Sequence, residues 1–194
     1  MRRDVSARGS QVRRARIQWF DWLANRAAAS LSSTGFMTSP GDFLVLARDG
    51  SRILADVGPD PTPEAIALAR EAHRLTLAGA VELRPPTGRY NCHGLVFAAR
   101  RASIPPVGAD VDLDDLLRRD GFRPLNPDES PQVGDIVAYR TEDDVEHTGF
   151  VSRIEPVGRA PVVFIWSAWG GLGEFEHKVA VCPYRGKPEY WRLR

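Results

Sequence analysis

Apolar positions change period along this chain. Ile17, Phe20, Leu23, Ala24, Ala27, Ala28 and Leu31 recur every three or four residues. That is an amphipathic helix stripe, flanked by Trp19 and Trp22 and stopped by Ser32–Gly35. Phe43-Leu44-Val45-Leu46 and Ile53-Leu54-Ala55 bracket Asp49-Gly50, which predicts a hairpin over 42–57. Prolines follow at 59, 61 and 63. Thr62 is placed to cap a helix with Pro63 at its first position and Glu64 in its first turn. Ala65, Leu68, Ala69, Ala72 and Leu75 mark one side of it as far as Ala78.

Pro85-Pro86-Thr87-Gly88 breaks the pattern. Beyond it a helix is expected from Cys92 to near Arg101, then a loop at Pro105-Pro106 and Gly108. A short acidic helix from Asp112 to Asp120 turns Leu113, Leu116 and Leu117 inward and stops at Gly121. Phe122–Leu125 is short and extended. Strands are expected at Ile136–Tyr139, after the Gly134-Asp135 turn, at His147–Ile154 and at Val162–Trp169, with a turn over Pro156–Pro161. Gly170-Gly171-Leu172-Gly173 breaks the last strand. The pattern predicts an α+β fold: a helical and hairpin extension over 1–85 that docks on a core over 86–194.

Composition narrows the function classes. The chain has 194 residues with 43% hydrophobic and 26% charged positions, the balance of an ordinary globular protein. A formal net charge of +1 predicts no strong nucleic-acid or membrane partner. The exception is local: Arg2, Arg3, Arg8, Arg13, Arg14 and Arg16 make a basic terminus that is either solvated or in contact with an acidic partner. Apolar runs are too short to span a bilayer. The N-terminus lacks the apolar stretch of a secretory signal, so a cytoplasmic location is expected, with any export by a signal-independent route. Two cysteines, Cys92 and Cys182, make no disulfide framework.

Candidate chemistry centres on Arg89-Tyr90-Asn91-Cys92-His93-Gly94-Leu95. A cysteine in the first turn of a helix meets unpaired backbone N–H groups and the positive end of the helix dipole, which favour a thiolate. His147, entering an apolar strand after a turn, is the candidate base. Ser167 on the following strand could accept from its ring. The Cys92 backbone N–H would bind the oxyanion, with Asn91 or Tyr90 as the second donor. Trp166 is a candidate cleft wall and His177 a reserve third member. His93 points about 100° away from Cys92 on a helix, which favours a structural role. A zinc site from Cys92, His93, His147 and His177 is disfavoured by the scattered spacing, and no metal or cofactor is expected.

Three blocks of the sequence resemble those of NlpC-type papain-fold cysteine peptidases and amidases, a superfamily with CHAP-like relatives. Asn91-Cys92-His93-Gly94-Leu95 is similar to their Asp-Cys-Ser-Gly-Leu, Val133–Tyr139 to their Pro-Gly-Asp-Leu-Val-Phe-Phe strand, and His147-Thr148-Gly149-Phe150-Val151 to their His-Val-Gly-Ile-Tyr strand. The resemblance covers roughly residues 88–170. It implies a papain-like fold with the cysteine helix on an antiparallel sheet, and hydrolysis of an amide bond in a peptide or protein substrate, commonly a bacterial cell-wall peptide. It also implies Cys92 as nucleophile and His147 as base in a thiolate–imidazolium pair, with Ser167 nearest the third position. Relatives include isopeptidases, acyl-transfer enzymes and delivered toxins. Asn91 and His93 depart from the usual aspartate and serine, and Ser167 from the usual histidine, amide or acid. An acyltransferase or thioesterase using the same pair, or a non-catalytic binding module on the same fold, is the alternative.

Overall fold

Asp49-Gly50 turns the chain between strands β1 (Asp42–Leu46) and β2 (Arg52–Asp56), and Gly50 takes the positive φ of 83° that this turn demands. The computed structural model describes residues 42–105, 112–142, 144–158 and 160–194. The expected helix over 17–31 and the basic terminus lie outside the described residues, as does most of the loop after Pro105.

Thr62 caps helix α1 (Pro63–Ala72), its hydroxyl accepting from the Ala65 N–H at 3.3 Å. The helix breaks at His73, and a single further turn, α2 (Arg74–Leu77), replaces the expected run to Ala78. The apolar side of this region is not a core face. No α1 residue is buried, and Leu68 and Leu75 are 62% and 80% exposed. Ala69 and Leu77 alone among these side chains pack against the cluster of Trp169, Leu172 and Phe175.

The remaining strands are β3 (Ala80–Arg84), β4 (Phe122–Pro124), β5 (Ile136–Arg140), β6 (Val145–Val157), β7 (Ala160–Ala168), β8 (Glu174–Lys178) and β9 (Lys187–Leu193). They form one seven-stranded sheet in the order β3-β8-β7-β6-β5-β9-β4. Every pairing in it is antiparallel. Helices α3 (Cys92–Phe97) and α4 (Leu113–Arg119) complete an α+β fold with four short α-helices among the described residues. None is long and apolar enough to cross a membrane.

One core lies on the α3 face of the sheet, where Ile53, Ala55, Ala98, Ile104, Leu113 and Leu117 meet Ile136, Ala138 and Trp191. A second, with Val137, Tyr139, Val151, Val163 and Ile165, uses the alternate residues of the same strands and so fills the other face. The Gly134-Asp135 pair anchors β5. Gly134 turns at φ 94°, and the Asp135 carboxylate accepts from the Gln132 N–H at 2.7 Å and from Arg192 of β9 at 2.8 and 2.9 Å.

Several expectations are revised. The described residues belong to one compact unit. The break at Pro85-Pro86 is a connection inside it, because β3 already belongs to the sheet and the β1–β2 hairpin already contributes to the core. The turn expected over Pro156–Pro161 is tighter than read, because Pro156 pairs with Pro161 and Val157 with Ala160 before the chain reverses. Helix α3 stops at Phe97 rather than near Arg101. Apart from these revisions, Cys92 and Cys182 are both free cysteines.

Candidate functional site

Asn91 is the N-cap of α3, in extended conformation, and its Oδ1 accepts from the Gly94 N–H at 2.8 Å. The same oxygen accepts from the Ile104 N–H at 3.2 Å, and Nδ2 donates to the Ile104 carbonyl at 2.6 Å. The Asn91 amide is thereby committed to holding the helix start against the returning chain. Tyr90 is also committed, its hydroxyl donating to Glu174 Oε1 at 2.6 Å. Both residues expected as oxyanion donors therefore have other partners.

Cys92 follows in the first turn of α3 and is 7% exposed. Burial pushes its thiol up to about 11, against the opposing pull of the Thr148, His93 and Cys92 backbone N–H groups and the Thr148 hydroxyl. A six-residue helix has too little aligned backbone to offset that desolvation. In this arrangement Cys92 rests as a neutral thiol. Alkylation by iodoacetamide, located by mass spectrometry, is therefore expected to keep rising with pH toward about 11. Levelling off below about pH 8 would contradict a desolvated thiol and indicate a preformed ion pair.

The two residues after the β5–β6 turn that matter most point to opposite sides of β6, as strand alternation requires. Thr148 turns toward α3, where its Oγ1 lies 3.0 Å from His93 Nδ1. His147 turns toward Tyr139, its cross-strand partner. The His147 ring is fully buried and stacked on Tyr184 with centroids 4.2 Å apart. Among the described residues neither of its nitrogens has a hydrogen-bond partner, and His93 Nε2 has none either. Burial takes His93 down to about 4. It takes His147 well below the ordinary histidine value, with further lowering by the charges of His177 and His93.

Ser167 does not meet His147 by a hydrogen bond; its partner is His177. The Lys178 carbonyl can only accept, so His177 Nδ1 carries the ring proton and donates to it at 2.9 Å. Nε2 then accepts from the Ser167 hydroxyl at 2.9 Å, while Ser167 Oγ accepts from Trp169 Nε1 at 2.9 Å. Ser167 and His177 thus belong to one buried polar chain in a fixed tautomer. The reserve candidate is joined to the expected third residue.

Trp166 belongs to a different cluster. Its Nε1 donates to Glu174 Oε2 at 2.7 Å, and the Arg100 guanidinium lies 4.5 Å from its ring centroid. Arg100 donates to Glu174 from Nε at 2.5 Å and Nη2 at 3.2 Å. Ala99 and Arg100 reach this geometry at φ 47° and 66°, the left-handed region that non-glycine residues seldom adopt. Burial works to raise the Glu174 pKa, but Arg100, Tyr90 and Trp166 bring it below the usual carboxylate value.

Comparison with family models, curated proteins and solved structures finds no match for this chain. The geometry of the site therefore carries the functional interpretation. Among the described residues no group of three or more His, Cys, Asp or Glu is arranged to hold a metal ion.

Thr148, Glu174, Arg100 and Tyr184 are the site residues that sequence reasoning passes over. Thr148 is the second residue of the His147 block and was open to notice. Glu174 reads as a surface acid, since nothing local signals its burial.

Proposed function

We propose that this chain is a cysteine hydrolase of amide bonds with a papain-like, NlpC-type architecture, Cys92 acting as nucleophile and His147 as general base. The observation that supports it best is the seat of Cys92: a buried thiol in the first turn of a helix against the sheet, met by backbone N–H groups. His147 turns to the Tyr139 side of β6, away from α3, so its ring has to reorient to take the thiol proton, and among the described residues its nitrogens have no hydrogen bond to break first.

The resting groups are neutral, so the thiolate–imidazolium pair forms as substrate enters and the thiol proton passes to His147. The sulfur attacks the carbonyl carbon, and the oxyanion that develops is met by the Cys92 backbone N–H. Collapse releases the amine, which takes the proton from His147, and leaves a thioester on Cys92. Water then adds to the thioester with His147 again accepting a proton, and the acid product leaves. Peptides, isopeptides and cell-wall peptides fit this chemistry equally.

Cys92→Ala is expected to abolish cleavage of any peptide or peptidoglycan fragment that the wild-type chain cleaves, with an unchanged circular dichroism spectrum. His147→Ala should lower kcat at least about a hundredfold. Turnover retained by Cys92→Ala would end the proposal. The burial of the thiol favours one second possibility, a binding module on the same fold. Its mark is a Cys92 that resists iodoacetamide across the whole pH range.

A further inference from the structure

Thr148 and His93 form a pair that the hydrolase mechanism above does not use. Both are fully buried, they come from different elements, and they meet at 3.0 Å through Oγ1 and Nδ1. Of the groups that pull the Cys92 thiol toward ionisation, Thr148 is the one that acts through both its backbone N–H and its hydroxyl.

Donor and acceptor capacities then restrict what this trio can do. A thiolate only accepts, so once Cys92 ionises the Thr148 hydroxyl must point its hydrogen at the sulfur. Its oxygen is left to accept, and the one group placed to donate to it is His93 Nδ1–H. That choice puts the single proton of a neutral His93 on Nδ1. Nε2, which has no partner among the described residues, is then a bare lone pair rather than a stranded N–H.

We infer that Thr148 is a positioning residue that donates its hydroxyl to the Cys92 thiolate, and that His93 holds that hydroxyl in the donating orientation. The inference rests on Cys92 being the nucleophile, since a stabilised thiolate matters only to attack. It assigns His93 a task that its own side chain performs without becoming protonated, and leaves the thiol proton to His147. His147 lies on the other side of β6 but feels the charge of His93, and the ionisation of Cys182 is opposed by a charge on Cys92. A Cys182→Ser background removes that second thiol and makes alkylation report Cys92 alone.

The test is the pH profile of iodoacetamide alkylation of Cys92 in that background, using the full chain. Thr148→Val keeps the shape and removes the hydroxyl. It should slow alkylation at a fixed alkaline pH by about three- to tenfold, the lost thiolate being partly offset by its greater nucleophilicity. Thr148→Ser should restore the rate. His93→Asn keeps a side-chain N–H for Thr148 and should stay near the parent, whereas His93→Leu should fall as Thr148→Val does. An unchanged profile in Thr148→Val, or His93→Asn as slow as His93→Leu, overturns the inference. If Thr148→Val does not fold, the two His93 variants decide alone. Alkylation reads the thiol and not turnover. Cleavage that survives Cys92→Ala therefore defeats the hydrolase proposal, while an unmoved alkylation profile defeats only this pair.

Discussion

Gly94→Ala is expected to drive the cysteine helix off the sheet. A Cβ at this position would stand 1.9 Å from the Ala102 carbonyl oxygen and 3.1 Å from the Tyr90 Cβ. Backbone cannot yield to that extent as a flexible side chain could. Either α3 moves or the returning segment moves, and both are tied together by Asn91 through Gly94 and Ile104. The expected cost is about 3 kcal/mol, or roughly 10 °C in Tm for a unit of this size. Thermal denaturation followed by circular dichroism measures it. A Tm within about 2 °C of wild type would show that the close approach is not a constraint. The same contact gives the glycine of Cys92-His93-Gly94 a steric reason that is independent of any chemistry at the cysteine.

Glu174→Ala has the other large effect expected. Its side chain is 1% exposed and accepts from Tyr90, Arg100 and Trp166. Truncation strands three donors at once, one of them charged. A broken buried pair costs about 3–5 kcal/mol, and the lower end applies because Arg100 is 28% exposed and can reach water. Glu174→Gln keeps the shape and one acceptor oxygen and should lose less. The pH dependence has a definite sign. The folded-state pKa lies below the ordinary carboxylate value, so the stabilisation is complete above about pH 5 and fades as the pH falls through the folded value. Urea unfolding at neutral and at acid pH should show the wild type losing more stability on acidification than Glu174→Gln. Equal losses would remove Glu174 as a source of acid sensitivity.

Much of the fold is legible in the chain, and particular residues show where legibility ends. Asp49-Gly50 announces the hairpin, and the apolar runs of β5, β6 and β7 announce the middle of the sheet. β8 escapes because Glu174-Phe175-Glu176-His177-Lys178 looks like a solvated segment; its acid is buried only because Arg100 and Tyr90, distant in sequence, come to meet it. β3 alternates correctly, yet it is an edge strand whose Val81 and Leu83 remain exposed, so its pattern carries no core signal. β9 hides behind Pro188 and its charged neighbours. The apolar spacing after Cys92 suggests a longer helix, and no local glycine warns of the left-handed pair at Ala99 and Arg100 that ends it.

At the site, the positions of Cys92 at a helix start and His147 on a strand follow from pattern, whereas their partners do not. Asn91 is better read as a cap than as an oxyanion donor, and its residue type and place already favour that role. Ser167 faces His177 because β7 and β8 pair Ser167 with Phe175 and Ile165 with His177, a register that no local sequence feature reveals.

Tyr90 and Arg100 flank the cysteine helix and end on the same carboxylate. The segment between them is therefore a noncovalent ring closed by Glu174, much as a clasp closes a band. Such a ring keeps its shape by its closure rather than by the helix-forming tendency of its members, which is why so short a helix can hold a fixed place. Val96 and Phe97 are then free to vary among residues of suitable size while the cysteine keeps its position. A designer wishing to move the thiol to another scaffold would have to carry the clasp along with the band.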